Sequence, residues 1–362
     1  MRTIYRSRLT LRIPPAILAV FIRGRLALLT LFLAGQVVIG QAQVRDKQDP
    51  DNLVRAEQGS DNINFSPWQW KGVDSAFGPL PASMHVFKTE DSVVGRPSIA
   101  YYVSVPLSEP AVAFTSQIGY GKRWTPAQYY QQEGQPLLVV NTSFFSFVTN
   151  ANRDLVVKDG KIVSWNEQSR RPKGKDSLAY YRYATHSALG ITSKGKADIA
   201  WTFTDSISPW PYAFEDGPVT AQGQDSIPSL KALNNRHWRR WKVQTAVGGG
   251  PVLIHDGIIR VTNKEEGLFV GSEKARNPRT AIGYTRDGRL IVLAIQGRTP
   301  GRAAGLTLAE EAKVLLDLGC YEALNLDGGG STCLLVNGKE TIQPSDKTGE
   351  RPVPSVFIIK KN

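Results

Sequence analysis

Four glycine turns, each set between apolar runs, constrain this chain most. Residues 155–164 read LVVKDGKIVS, 252–259 read VLIHDGII, 282–295 read IGYTRDGRLIVLAI and 334–342 read LLVNGKETI. Asp-Gly and Asn-Gly supply the positive φ that a tight hairpin turn needs, and the flanking residues are β-branched or aliphatic. Four β-hairpins predict an α+β domain: sheet-rich, with few helices packed on a mixed sheet. Further strands are predicted at 83–88 (SMHVFK), 98–105 (SIAYYVSV) and 136–141 (PLLVVN).

Helical signals are sparse. Residues 307–318 read TLAEEAKVLLDL before Gly319, with Thr307 and Glu310 spaced as a capping box and an apolar stripe at Leu308, Ala312, Leu315 and Leu316. A weaker helix is predicted at 125–132, with Thr125 as cap and Pro126 at its first position. Residues 168–177 carry four basic residues in a loop-like context. Residues 205–240, rich in Pro, Ser, Gly and Trp, read as an insertion, either a substrate loop or surface decoration.

The chain has 44 Lys and Arg against 32 Asp and Glu, a net charge of +12. Six Arg and no acid lie in residues 1–42, so the rest carries +6. Residues 26–40 (LALLTLFLAGQVVIG) are uncharged, follow Arg23 and Arg25, and lead to Gly40 and Ala42 at the −3 and −1 positions of a cleavage site. This pattern predicts a signal peptide at 1–42 and an exported, periplasmic or secreted protein with no membrane span once it is removed. A second apolar stretch at 13–22 keeps an uncleaved anchor as the alternative. Residues 43–79 are predicted as a flexible lead-in with the first elements, and 80–362 as the functional domain.

Two Cys exclude a disulfide scaffold and a zinc finger. Cys320 and Cys333 bracket one predicted strand; a bridge and two buried thiols both fit that spacing. Residues 236–242 (RHWRRWK) interleave Trp with basic residues in the manner of a nucleic-acid patch. The stretch is short and the exported part only modestly basic, so no nucleic-acid partner is expected.

Four constellations have the form of a strand end followed by a special turn. Asn325-Leu326-Asp327-Gly328-Gly329-Gly330-Ser331-Thr332 delivers a carboxylate, then three glycines able to present N–H groups to an oxyanion, then two hydroxyls. It lacks the Gly-Lys-Ser/Thr ending of a Walker loop. Gly248-Gly249-Gly250-Pro251 offers a second run of backbone donors. Asn277-Pro278-Arg279-Thr280 holds an Arg able to present a fork to phosphate or carboxylate. Asn141-Thr142-Ser143-Phe144-Phe145 places an amide before two aromatics. Each also has a plain structural reading: a glycine-rich turn, a strand bend, a surface Arg and a capped turn.

In this order along the chain, these motifs resemble the phosphodiester glycosidase family. Asn141 to Phe145 is similar to the family's N-G-G-F-F, GGGPVLIHDG at 248–257 to its G-x-G-P-x-L-x-x-D-G, and PRTAIG at 278–283 to its P-R-T-A-I-G. Residues 305–338 are similar to its G-x-T-L-x-E-x-A helix followed by N-L-D-G-G-G-S, and Pro344 to Asp346 with RPVPSV at 351–356 to its closing segment. Thr142 and Ser143 depart from the two glycines, which predicts a narrower pocket.

The resemblance implies hydrolysis of a sugar-1-phosphodiester, at the glycosidic C1–O–P linkage, to free sugar and phosphomonoester, in glycan or cell-envelope polysaccharide metabolism. A module that binds anionic glycans without cleaving them is the alternative. The implied catalytic residues are Asp327, for the oxocarbenium-like centre or for activating water; Arg279, for the phosphate; and Asn141, for sugar hydroxyls. Gly249, Gly250, Asn325, Gly328, Gly329, Gly330, Ser331 and Thr332 are the implied substrate-binding residues. Asp327 and nearby carbonyls are hard ligands compatible with calcium or magnesium, though no spacing demands a cation. One carboxylate alone does not assign inversion or retention.

Overall fold

Alternation along each strand decides how the sheets layer. In Leu138–Asn141, Leu138 and Val140 join one apolar cluster while Val139 joins another, and Leu324 and Ala323 divide in the same way. Strands apolar on both faces need cover on both faces. The computed structural model describes residues 65–168, 181–183, 185–222, 237–269 and 271–362. The predicted signal peptide, residues 43–64 of the lead-in, residues 169–177 of the basic loop and 223–236 of the insertion lie outside the described residues.

The central sheet has eight strands in the order Lys71–Gly72, His85–Thr89, Ala100–Pro106, Arg289–Ile295, Arg279–Thr285, Cys320–Asn325, Val252–His255, Ile258–Ile259. One face packs against the helix Leu308–Asp317 through Leu253, Ala281, Leu293, Leu308, Ala312 and Leu315. The other face meets two smaller sheets in a shared core containing Val103, Ile282, Leu324, Leu138, Phe357, Leu189 and Trp201. One of these sheets has five strands, including Leu138–Asn141, Leu334–Val336 and Ser355–Lys361; its outer face carries the helix Pro126–Gln132 through Tyr129. The other has seven, including His186–Ile191 and Thr245–Gly248.

All four predicted hairpins are present. Asp159-Gly160, Asp256-Gly257 and Asn337-Gly338 have positive φ at both positions, as a two-residue turn with the strands' own twist demands. The loop around Asp287 is longer, and only Gly288 is left-handed there. The expectation of a mixed sheet is corrected: every pairing among the described strands is antiparallel, both in the hairpins and between strands far apart in the chain. Both helices carry complete capping boxes, Thr125 with Gln128 and Thr307 with Glu310.

The 205–240 segment is partly sheet. Tyr212–Phe214 and Trp238–Arg240 pair with each other and extend the seven-stranded sheet. Trp241 is buried and donates to Asp198, Trp238 packs edge-on against Tyr212 at 5.0 Å, and Arg239 pairs with Asp198 and Glu215. Cys320 and Cys333 are both free and buried, in different apolar clusters on either side of the central core, and this separation precludes a bridge.

Candidate active site

The four predicted constellations meet where the three sheets end. Asp327 lies two residues past the end of the strand Cys320–Asn325, and its N–H donates to Thr142 O at 2.8 Å. Leu326 N–H donates to Thr280 O at 2.8 Å and Gly329 N–H to Pro278 O at 2.9 Å. Thus the Asn141, Arg279 and Asp327 segments are tied together by backbone bonds.

Asp327 is partly exposed, and burial pushes its carboxyl up from 3.8 to about 7. Hydrogen bonds from the Ser331 hydroxyl and the Gly328 N–H and the charge of Arg351 oppose this, while Asp154 adds to it. Asp154 is a second carboxylate absent from the sequence-derived site. It is fully buried, accepts from Phe144 N–H at 3.0 Å and contacts His186 Nδ1 at 2.8 Å. Gly248 makes room for it: a Cβ there would lie 2.5 Å from the Asp154 Cβ.

Asn141 is buried and its amide is engaged by protein at both its nitrogen and its oxygen. Nδ2 donates to Asp327 O at 2.5 Å, and Oδ1 accepts from Thr280 Oγ1 and Cys333 N, both at 3.0 Å. It therefore positions the Asp327 turn instead of reaching a sugar hydroxyl. Asn325 is likewise fully buried, with Nδ2 donating to Gly250 O at 2.6 Å and Leu326 O at 2.9 Å.

The glycine run before Pro251 is a correction to the sequence reading. Gly249 N–H donates to Ser187 O at 3.0 Å and Gly250 N–H to Asn325 O at 2.7 Å, so neither donor is open to an anion. These glycines permit close backbone crossing: a Cβ on Gly249 would sit 2.6 Å from Asn325 O. Thr142 and Ser143 are also buried, donating to Ser355 Oγ and Gly248 O, so their side chains point into the protein.

Arg279 is the second correction. It is 3% exposed, and Nε and Nη2 donate to the carbonyls of Leu306 and Ala275 at 2.9 and 3.1 Å. Glu311 lies 4.0 Å from it and the Phe269 ring 5.8 Å. Burial raises the Glu311 carboxyl from 4.5 to about 8, opposed by the Arg279 charge. The guanidinium braces the loops behind the site, because its strand position turns it toward the helix.

Two other arginines flank the glycine loop. A Cβ on Gly329 would lie 3.0 Å from Arg298 Nη2, and one on Gly330 would overlap the Arg351–Asp346 pair. Arg298 is exposed, has φ 59° and donates to Asn277 Oδ1 at 2.9 Å. Arg351 makes a two-pronged contact with Asp346 at 2.7 and 2.9 Å and reaches Ser331 Oγ at 3.4 Å. Ser331 and Thr332 are buried, and Thr332 Oγ1 has no hydrogen-bond partner among the described residues.

Missing from the sequence-derived site, then, are Asp154, His186, Arg298 and Arg351. Arg351 stood in a quoted motif, whereas the other three carry no local signal.

No group of three or more His, Cys, Asp or Glu able to hold a metal exists among the described residues. A separate hollow of about 430 Å³ lies at the far end of the central sheet, lined by His85, Tyr102 and Arg289, and none of the predicted site residues borders it.

A sheet-dominated fold with an acid-bearing glycine turn and flanking arginines defines the class, and the chain belongs to the phosphodiester glycosidase family, which matches residues 134–360. It is 40% identical over 83 residues to N-acetylglucosamine-1-phosphodiester alpha-N-acetylglucosaminidase of Bos taurus, a stretch that is 23% of this chain and 15% of that protein. The Homo sapiens protein of the same name matches at 40% over 83 residues, 16% of its length. The chain thus spans only a small part of these curated relatives. A hypothetical protein from Synechocystis has a similar structure, with a TM-score of 0.55, 18% identity, and coverage of 81% of this chain and 64% of that one. The zebrafish N-acetylglucosamine-1-phosphodiester alpha-N-acetylglucosaminidase catalytic domain, auto-inhibited by its pro-peptide, gives a TM-score of 0.51 at 20% identity, covering 82% and 89%. At these identities the two structures support the fold alone.

Proposed function

We propose that this protein hydrolyses a sugar-1-phosphodiester, releasing free sugar and a phosphomonoester. The observation that carries the reading is Asp327, a carboxyl held near neutrality on a glycine turn between two guanidinium groups. The leaving phosphomonoester is anionic, so C1–O cleavage needs charge stabilisation more than a strong acid. Arg298 and Arg351 flank the turn where that charge would develop. Asp327 would face the sugar carbon as it becomes oxocarbenium-like, with Asp154 as the second carboxylate nearby. Asn141, Asn325, Arg279 and the Gly248–Gly250 run hold this arrangement from behind. Export through the 1–42 leader, to the periplasm or the medium, belongs to the same reading. Among the described residues no helix is long and apolar enough to cross a membrane.

The test is incubation of the protein with a phosphodiester of N-acetylglucosamine 1-phosphate, measuring free sugar, with and without chelator. Release that is lost in Asp327→Asn supports the proposal, and the chelator arm decides whether a divalent cation takes part. Tight binding of the diester without release over hours would replace it with the non-catalytic glycan-binding reading.

A further inference from the structure

Where the helix Leu308–Asp317 ends, at Leu318 and Gly319, three adjacent strands of the central sheet floor the hollow of about 430 Å³. The register explains its lining. His85 lies opposite Ser104, and Ser104 opposite Ile291. Two residues along, and so on the same face, Phe87 lies opposite Tyr102. The Phe87 and Tyr102 rings stack at 4.6 Å, and Trp70 meets Tyr102 edge-on at 4.7 Å. One side of the hollow is therefore an ordered aromatic wall.

Opposite charges also line it. Arg289 is half-buried and donates to Ser104 Oγ at 2.7 Å and Ser83 O at 3.1 Å. Asp287 is exposed and accepts from the Thr285 hydroxyl. Among the described residues neither has an ion-pair partner, and they do not pair with each other. His85 is different, since its Nδ1 lies 2.9 Å from Asp74 and any charge on it is already matched.

An anion drawn to Arg289 would meet Asp287, and a cation drawn to Asp287 would meet Arg289. A neutral molecule with adjacent hydroxyls satisfies both, one oxygen accepting from the guanidinium and its neighbour donating to the carboxylate. The C–H side of a pyranose suits the aromatic wall. The volume falls within the range of about 300–1,000 Å³ usual for small-ligand sites.

We infer that this hollow is a second saccharide site, taking a neutral pyranose with adjacent free hydroxyls. It is separate from the glycine turn. Arg279 pairs with Ile295 behind that turn, and Arg289 stands six residues back along the same strand, about 20 Å away. The site thus holds a glycan unit independently of any chemistry at Asp327, and does not rest on the hydrolytic reading.

The experiment is a ligand-observed NMR titration of the full protein with the methyl glycosides of glucose, galactose, mannose and N-acetylglucosamine. Methyl glucuronide and inorganic phosphate are the charged comparisons. At least one neutral glycoside is expected to bind with a Kd of about 1 mM, weakened about tenfold in Asp287→Ala and in Arg289→Gln. Asp287 is exposed, so its variant decides alone if Arg289→Gln does not fold. Binding of none of the four, or binding unaffected by Asp287→Ala, overturns the site. Methyl glucuronide or phosphate binding more tightly than every neutral glycoside overturns it also, by making the hollow an anion site.

Discussion

Replacing Asp327 by Asn should remove activity and, at the same time, stabilise the fold at neutral to alkaline pH. The carboxyl titrates at about 7 in the fold, against an ordinary 3.8. A shift of about 3 units corresponds to about 4 kcal/mol. Because Asp327 is partly exposed, screening reduces this to about 2 kcal/mol. The sign follows from proton linkage. The folded state keeps the proton to higher pH than the unfolded state, so the stabilisation is complete below about pH 4 and is lost as pH rises through 7. Asn cannot ionise and does not lose it. Urea unfolding of both proteins across about pH 4 to pH 8 should show the variant gaining about 2 kcal/mol on the wild type over that range. Sugar release measured on the same samples should be absent from the variant throughout. A stability difference that does not change with pH would refute the argument that Asp327 is held near neutrality by burial.

Three further outcomes are expected. Glu311→Gln should flatten the fall of Tm with rising pH between about pH 5 and pH 9, since Glu311 is fully buried and its carboxyl is raised from 4.5 to about 8, so that its stabilisation is complete below the lower value and lost as pH rises through the higher; an unchanged Tm profile counts against it. Gly249→Ala should cost about 2–3 kcal/mol in urea unfolding, because its Cβ would lie 2.6 Å from Asn325 O in a backbone crossing that cannot give. Arg298→Ala should raise KM for the diester about tenfold with stability changed by less than about 0.5 kcal/mol, as an exposed phosphate contact would; an unaltered KM removes Arg298 from the site.

Much of the fold was legible because its signals are local. Asp159-Gly160, Asp256-Gly257 and Asn337-Gly338 each specify a turn within two residues, and Thr307 with Glu310 specifies a helix start within four. Asp327 was legible for a similar reason, since a carboxylate followed by three glycines is unusual wherever it lies. The glycines at 248–250 were misread because sequence shows that a backbone is unencumbered but not what approaches it. In the fold the visitors are Asp154 and Leu155 at Gly248, Asn325 and Leu326 at Gly249, and Leu268, Glu266 and Ser187 at Gly250. Arg279 was misread likewise: its charge is visible in sequence, but its burial depends on which face of the strand meets the helix.

The sequence by itself determined the hairpins, the two capped helices, the family and the acid-bearing turn, because each is written in residues adjacent along the chain. Only the tertiary structure decided which charged groups surround that turn. Asp154 is 173 residues from Asp327 in sequence, and Arg298 and Arg351 come from two further segments. Their convergence is set by antiparallel pairing and by the packing of three sheets on one core, and such long-range contacts leave no mark on the local pattern of any one segment.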